Sequence, residues 1–480
     1  MSSTSPVLFW FRQDLRLDDN PALRAAIDTG QPVVPVFVLD DVTPGDMAYG
    51  SASRWWLHKS LDSLGEQLKS AGSTLVLRRG DAKEIIPKLV QEIGASQVFW
   101  NRRYAKWQVE ADKALKKSLE DDEIRVTSCN GRLLYEPWDI ETKSGGPYRV
   151  FTPFWKALKS QGNVRDTVTA IRKIDGPSRY PATDTLSDWA LLPTKPNWAK
   201  GFEEVWEPGE KGAMSALRNF LDGPVDSYKD DRNRPDRNGT SRLSPHLHFG
   251  EISPVQIWHL VRNKISAGEV PDSQGDVFLS EIAWREFSYS LIYFNPEMHK
   301  KELMEKFRDF PWEHSEKKLE AWKKGQTGYP IVDAGMRQLW REGWMHNRIR
   351  MVVGSFLVKH LLLDWRDGMM WFWDTLVDAD EANNTASWQW IAGCGADAAP
   401  YFRIFNPMTQ GERFDPDGDY VRKYVEELRD LPAKHIHTPW DAPKDVLKKA
   451  GVELGRTYPE PMVDHKQARQ NALDAYQSIK

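Results

Sequence analysis

The sequence predicts an α/β domain built on a parallel five-stranded sheet, followed by a large all-α body. Three observations carry that expectation. Short β-type runs alternate with helical stretches up to about residue 130, strand-like segments nearly vanish after residue 212, and a Gly- and Pro-broken stretch separates the two regimes.

In chain order, VLFWF (7–11), VVPVFVL (33–39), TLVLR (74–78), QVFW (97–100) and IRVTSC (124–129) read as buried strands. Residues 53–71, 82–94 and 104–120 carry helical periodicity between them. This alternation implies parallel pairing with helices on both faces of the sheet. Neither GxGxxG nor GxxxxGK[ST] occurs in this half, which argues against an ordinary dinucleotide or nucleoside-triphosphate cradle. The stretch 160–210 is broken by Gly162, Gly176, Pro177, Pro181, Pro193, Pro196 and Pro208, and reads as a surface connector. The boundaries follow as 1–135 for the α/β domain, 136–211 for the connector and 212–480 for the helical body.

The 480 residues are 40% hydrophobic and 28% charged, an ordinary globular composition. A net charge of −4 excludes a bulk-basic nucleic-acid coat, so a DNA partner needs a local basic patch. Two cysteines, Cys129 and Cys394, make neither a disulfide framework nor a zinc ribbon and suit a reducing cytoplasm. The N-terminus lacks the pattern of a secretory signal, and the best apolar run, 352–363, is cut by Lys359 and His360. A cytoplasmic protein is expected. The 22 tryptophans exceed what packing demands, since Leu fills a core as well.

Four segments of the helical body depart from plain amphipathic design. Tyr228 and Arg232 precede GTSRLS (239–244), whose hydroxyls and backbone N–H groups suit a phosphate, although on its own the segment is more simply a helix N-cap. In EIAWREF (281–287), Glu281, Trp284 and Arg285 share one helical face; a surface ion pair beside a half-buried indole would also explain them. In WMHNRIRM (344–351), Asn347 and Met351 share a face, Arg348 is adjacent and Arg350 points elsewhere. Such a set is a poor core and points to a cavity. In 376–407, Asp378, Asp380 and Asn384 lead to Trp388 and Trp390, which about 200° of helical rotation sends to opposite sides. The pairs His246/His248 and His435/His437 lack a carboxylate or Cys pattern beside them and read as structural or solvent-facing rather than metal-binding.

The whole chain resembles the photolyases that repair cyclobutane pyrimidine dimers, within the photolyase and cryptochrome family. FRQDLRL (11–17), GTSRLS, WREF, TGYPIVDAGMRQL, GWMHNR, WQW and YFRIFNPMTQGERFD (401–415) occur in the family's order, and the likeness is greatest to bacterial class I or class III enzymes. The resemblance implies a Rossmann-like first domain and FAD bent inside the helical body. Tyr228, Thr240, Ser241, Arg242, Leu243 and Ser244 would hold its phosphates and ribitol. Asp378 and Asp380 would face the isoalloxazine, Arg350 would pair with Asp378, and Asn384 would stand beside the reactive flavin nitrogen, where plant cryptochromes carry Asp. Trp284 and Trp390 would wall the dimer, Glu281 and Asn347 would bond its polar edge, and Met351 would pack on its rings. Arg232, Arg348 and Arg403 would grip phosphates of UV-damaged DNA. Trp388, Trp365 and Trp312 match the family's electron relay, with Trp371 or Trp373 as a side branch.

The implied reaction is electron donation from photoexcited reduced FAD to the dimer, with return of the electron after the ring splits. A second chromophore, methenyltetrahydrofolate, is the expected antenna near residues 101–112. Here Trp107 and Gln108 stand where class I enzymes place Asn and Glu, and Trp107 offers a face for a pterin. The resemblance implies a monomer. A cryptochrome-type receptor, a (6-4) photolyase and a dark flavin oxidoreductase are the rival readings. Retained Trp284, Met351 and Trp390 weigh against the first. Asn347 without a paired His weighs against the second, and the missing nicotinamide motif against the third.

Overall fold

The computed structural model describes residues 5–398 and 402–480. Five parallel strands lie in the order β3-β2-β1-β4-β5, with β1 Val7–Phe11, β2 Val33–Leu39, β3 Val76–Arg79, β4 Gln97–Asn101 and β5 Arg125–Cys129. Val7 in the central strand registers with Val33 on one side and Gln97 on the other. Alternation along β1 divides the core. Val7, Phe9 and Phe11 pack with Trp55, Trp56 and Leu61 on one face, and Leu8 and Trp10 pack with Ile86, Val98 and Leu115 on the other.

The three expected helices form as Ser51–Ser70, Ala82–Ile93 and Lys106–Asp121. Asp81 caps the second by accepting from the Lys83 N–H, and Gly94, at φ +64°, ends it in the left-handed conformation that glycine adopts without Cβ strain. The third strand starts two residues later than its apolar run suggests. Ladder pairing with β2 begins at Val36↔Val76, which leaves Thr74 and Leu75 outside the ladder although Leu75 is buried.

The connector is more ordered than its prolines imply. A helix at Phe151–Ser160 buries Phe151, Phe154, Trp155 and Leu158 against the helical body. Farther on, Ile171, Ile174, Trp189 and Leu191 join the sheet-face core. Their irregular spacing has no period to betray it.

In the helical body, Glu381–Ala392 packs against Asp272–Phe294, Trp365–Thr375 and Asn347–Ser355. Polar groups on these four helices therefore converge on one space. Among the described residues no helix is long and apolar enough to cross a membrane.

Candidate functional site

That space is a cavity of about 740 Å³, within the range of small-molecule and cofactor sites. Its inner wall carries two buried carboxylates and an amide. The Arg350 Nη2 donates to Asp378 Oδ2 at 2.7 Å, while Asp378 Oδ1 is buried and has no partner. A buried acceptor left unpaired is costly, so a ligand with an N–H at this position would be favoured.

Asp380 follows two residues on. Its Oδ1 caps Glu381–Ala392 by accepting from the Asn383 N–H at 3.0 Å. Its Oδ2 accepts from the Tyr289 hydroxyl at 2.6 Å and lies 3.4 Å from His248 Nδ1 and 3.8 Å from Arg132. Burial pushes this carboxyl upward, but the His248 hydrogen bond and the Arg132 and Arg285 charges outweigh it and hold Asp380 far below the carboxylate range. Asn384 donates from Nδ2 to the Met369 carbonyl at 3.0 Å, which pins the amide and leaves its oxygen as the free group.

The GTSRLS turn divides. Tyr228, Ser241, Leu243 and Ser244 line the cavity, whereas Thr240 and Arg242 do not. Arg242 takes φ +52° and sends its guanidinium to Glu342, 2.7 Å away, between the rings of Trp206 and Trp344. Gly239 is required here, because a Cβ would stand 2.8 Å from Asp231 Cβ and 2.9 Å from its carbonyl oxygen. The helix that follows, Ser244–Phe249, is short.

Nearer the mouth, Trp284 stacks on Phe151 at 3.8 Å and 10°, and the Trp390 Nε1 donates to the Asp397 carbonyl at 3.1 Å. Both indoles are therefore fixed on the cavity wall, with Glu281, Asn347 and Met351 beside them. Arg232 Nη1 donates to Glu281 Oε1 at 2.6 Å. Arg232, Arg348 and Arg403 line the same mouth. Burial, together with the charges of Arg232, Arg413 and Arg403, lowers the Arg348 pKa, the mark of a concentrated positive field. The local basic patch thus exists in a chain of net charge −4.

Trp388 is buried between Phe372 (5.0 Å) and Trp322 (6.3 Å), Trp365 is fully buried with its Nε1 donating to Glu302 at 3.2 Å, and Trp312 is half-buried beside Phe310 (4.3 Å). The expectation that Trp388 and Trp390 serve opposite sides is corrected: both line this cavity, which is large enough to reach around the helix that carries them. Trp371 stacks on Trp340 with planes 2° apart, and Trp340 is 54% exposed. Trp373 is buried and donates to the Ala48 carbonyl.

A smaller cavity, about 90 Å³, lies between the α/β domain and the helical body, lined by Trp107 and Gln108 and also by Trp10, Arg12, Tyr49 and Arg103. Nε1 of Trp10 and Nε of Arg12 and Arg103 are buried without partners. Asp380 and Glu381 form part of this wall too, and the Trp107 Nε1 donates to Glu381 Oε2 at 2.9 Å. Burial pushes Glu381 up to about 7 despite that bond.

Three of the four H-x-H histidines are buried, and carboxylates do stand beside them. His246 Nδ1 meets Glu251 Oε2, His248 meets Asp380, and His437 Nε2 bonds the Asp415 carbonyl at 2.7 Å. Chain folding, not sequence spacing, brings the acids in. Among the described residues no group of three or more potential ligands could hold a metal ion. Sequence reasoning missed Arg132, His248 and Tyr289 around Asp380. Tyr289 had a signal, since it continues the i, i+4 series Glu281, Arg285 along one helix.

Comparison with known proteins adds five findings. Residues 7–173 match the family model described as DNA photolyase, and 278–478 match the FAD binding domain of DNA photolyase. The chain is 52% identical to a deoxyribodipyrimidine photo-lyase of Agrobacterium fabrum, covering 99% of this chain and 98% of that one. It is 40% identical to cryptochrome-1 of Arabidopsis thaliana, covering 98% of this chain and 70% of the other. The crystal structure of a bacterial class III photolyase from Agrobacterium tumefaciens superimposes with a TM-score of 0.97 at 52% identity, covering 100% of this chain and 98% of that one.

Proposed function

The chain belongs to the DNA photolyase family, and from that premise we propose that it repairs cyclobutane pyrimidine dimers in DNA under blue light, with FAD in the large cavity. One observation carries this reading. The two fixed indoles, Trp284 and Trp390, and the acid Glu281 share a single cavity with Asp378, Asp380 and Asn384. A lesion and a flavin would therefore meet without an intervening layer of protein.

When bound and reduced, FAD supplies on light absorption the electron that opens the cyclobutane ring. The residues hold and screen. Asp378 Oδ1, unpaired and buried, would accept an N–H of the flavin's polar edge, with Arg350 neutralising the carboxylate's charge. Asn384, pinned by Met369, would present an oxygen to the reactive nitrogen and brings no readily released proton. Tyr228, Ser241, Leu243 and Ser244 hold the phosphate and ribitol side. Arg242 supports that turn from behind through Glu342, and Thr240 lies outside the cavity lining.

Photolyases are established base-flipping enzymes, and flipping forfeits stacking that Trp284 and Trp390 return at roughly 1–3 kcal/mol per base. Glu281 and Asn347 bond the dimer's polar edge, Met351 packs on its rings, and Arg232, Arg348 and Arg403 take flanking phosphates. Trp388, Trp365 and Trp312 would form the relay that resupplies the flavin with electrons, with the Trp371–Trp340 stack as a side branch. Trp373, bonded within the core, is a weaker fit for that role.

The smaller cavity suits an antenna chromophore such as methenyltetrahydrofolate. Trp107 offers an aromatic face, and the orphaned donors of Trp10, Arg12 and Arg103 offer hydrogen bonds. We assign the protein to the cytoplasm, acting as a monomer, with 1–135 as the antenna-bearing α/β domain, 136–211 as connector and 212–480 as the catalytic domain.

The test is restoration of oligonucleotides carrying either a cyclobutane dimer or a (6-4) photoproduct, under blue light with a reductant. The reading requires light-dependent loss of the cyclobutane dimer and none of the (6-4) lesion. Binding of FAD with no repair of either lesion would move the chain to the receptor side of the family.

A further inference from the structure

Glu281 and Arg232 meet in the mouth of the large cavity through an ion pair of 2.6 Å, with 26% and 24% of their side chains exposed. The same guanidinium stands among the arginines that face a DNA phosphate in the reading above. Arg232 thus has two anionic partners available to it, and one of them arrives only with substrate.

The surroundings make that competition consequential. Glu281 lies near Ser280, whose hydroxyl donates to the Val277 carbonyl at 2.7 Å, and near the Tyr228 hydroxyl, whose own pKa burial raises. Arg232 rests over the Tyr228 ring at 5.6 Å. Arg348 also lines the cavity, and behind it His346 is buried and lowered to about 3 by burial and by Arg348, Arg350 and Arg232, with Asp236 opposing. Of these groups, Arg232 is the cation in contact with Glu281. Burial pushes the Glu281 carboxyl upward even with Arg232 bonded to it. Withdrawing that charge, bringing in a phosphate and excluding the remaining water all act in the same direction.

We propose that a phosphate beside the lesion draws Arg232 away from Glu281, and that Glu281, closed in by the flipped dimer, takes up one proton from solvent. Lesion capture and protonation of Glu281 are then a single event. The step is a carboxylate plus a solvent proton giving a neutral acid, and no bond of the DNA changes. As an acid, Glu281 donates its O–H to a pyrimidine carbonyl, where negative charge develops during repair. Arg232 is on this account a positioning residue for the proton as well as a phosphate ligand. The inference rests on the repair reading and extends it.

Calorimetry of the FAD-loaded protein tests it. The titrant is an oligonucleotide with one thymine dimer, in two pH 7 buffers of different protonation enthalpy. The expected result is uptake of one proton per complex. Glu281→Gln, titrated at concentrations high enough to offset its weaker binding, should show no uptake. Arg232→Met removes the charge that opposes burial and so raises the Glu281 pKa before binding; its uptake should fall below wild type, and Arg232→Lys should restore it. Wild-type binding without net uptake, or equal uptake by Glu281→Gln, overturns the proposal. A protein that binds and repairs the dimer without taking up a proton sinks this inference alone. One that neither binds nor repairs it sinks the repair reading as well.

Discussion

Replacing Gly368 with Ala tests whether Trp388 is held by its surroundings or merely placed near them. Gly368 lies in the Trp365–Thr375 helix, and a Cβ there would stand 2.5 Å from Cζ3 of Trp388, closer still to Cη2, and 2.6 Å from Cδ2 of Leu357. Ordinary contact begins at about 3.4 Å, so the indole must move by about 1 Å or more. Phe372 at 5.0 Å and Trp322 at 6.3 Å close its other sides. Alanine gains roughly 0.5–1 kcal/mol over glycine within a helix, while overpacking costs about 1–3 kcal/mol. The net expectation is a loss of about 1–2 kcal/mol with a displaced Trp388. Gly354→Ala is the internal control, because its Cβ would lie 3.3 Å from Ile391 and 3.6 Å from the same indole. Two measurements decide: the temperature of flavin release on heating, and the rate of flavin photoreduction with an external reductant. Gly368→Ala should lower both, and Gly354→Ala should leave both near wild type. A Gly368→Ala protein matching wild type in both would show that the indole has room and that the packing argument fails.

Trp388→Phe should slow photoreduction severely and spare repair by chemically reduced enzyme; loss of both would remove Trp388 from the relay. Arg350→Ala leaves the buried Asp378 carboxylate unpaired, at a cost on the order of 3 kcal/mol, and should weaken FAD retention, read by equilibrium dialysis. Glu286 is pushed up to about 7 by burial, against the Arg285 charge and the Leu134 N–H. The folded protein therefore binds this proton more tightly than the unfolded chain, and stability falls as pH rises from about 4.5 to 7. Glu286→Gln should remove up to about 3 kcal/mol of that slope, and an unchanged pH–stability profile would refute the assignment.

The legible parts of this molecule are those with a period or a local conflict. Five continuous apolar runs announce a parallel sheet, but Leu75 is as apolar as Val76, and only pairing with Val36 decides where β3 begins. Asn347, Arg348 and Met351 stand out because polar and apolar groups share one short helix without a reason in packing. The helix Phe151–Ser160 does not stand out, since its purpose is to stack Phe151 on the distant Trp284. The environment of Asp380 is equally hidden. Arg132, His248 and Tyr289 come from three separate segments, and each alone looks ordinary. Arg242 shows the opposite error: its residue type and position suit a phosphate, yet a buried acid claims it first.

That acid also links two parts of the site through one chain of hydrogen bonds. Glu342 accepts from Arg242 at 2.7 Å, from the Tyr424 hydroxyl at 2.6 Å and from Gln338 at 3.3 Å. Gln338 in turn accepts from the His346 N–H at 3.3 Å and from the Tyr420 hydroxyl at 2.8 Å. His346 caps the Asn347–Ser355 helix through the Arg348 N–H. The turn proposed to seat the flavin phosphates is thus bonded, through Glu342 and Gln338, to the first residue before the helix proposed to meet the lesion. Burial alone would neutralise Glu342, but the Tyr424 hydrogen bond and the Arg242 and Lys423 charges hold it below the ordinary carboxyl range. It stays an anion at neutral pH and keeps every one of these donors engaged. Electron transfer falls steeply with distance, so a flavin seat and a lesion helix that drifted independently would waste absorbed light. A single charged hub, satisfied on all sides, removes that freedom before either ligand binds.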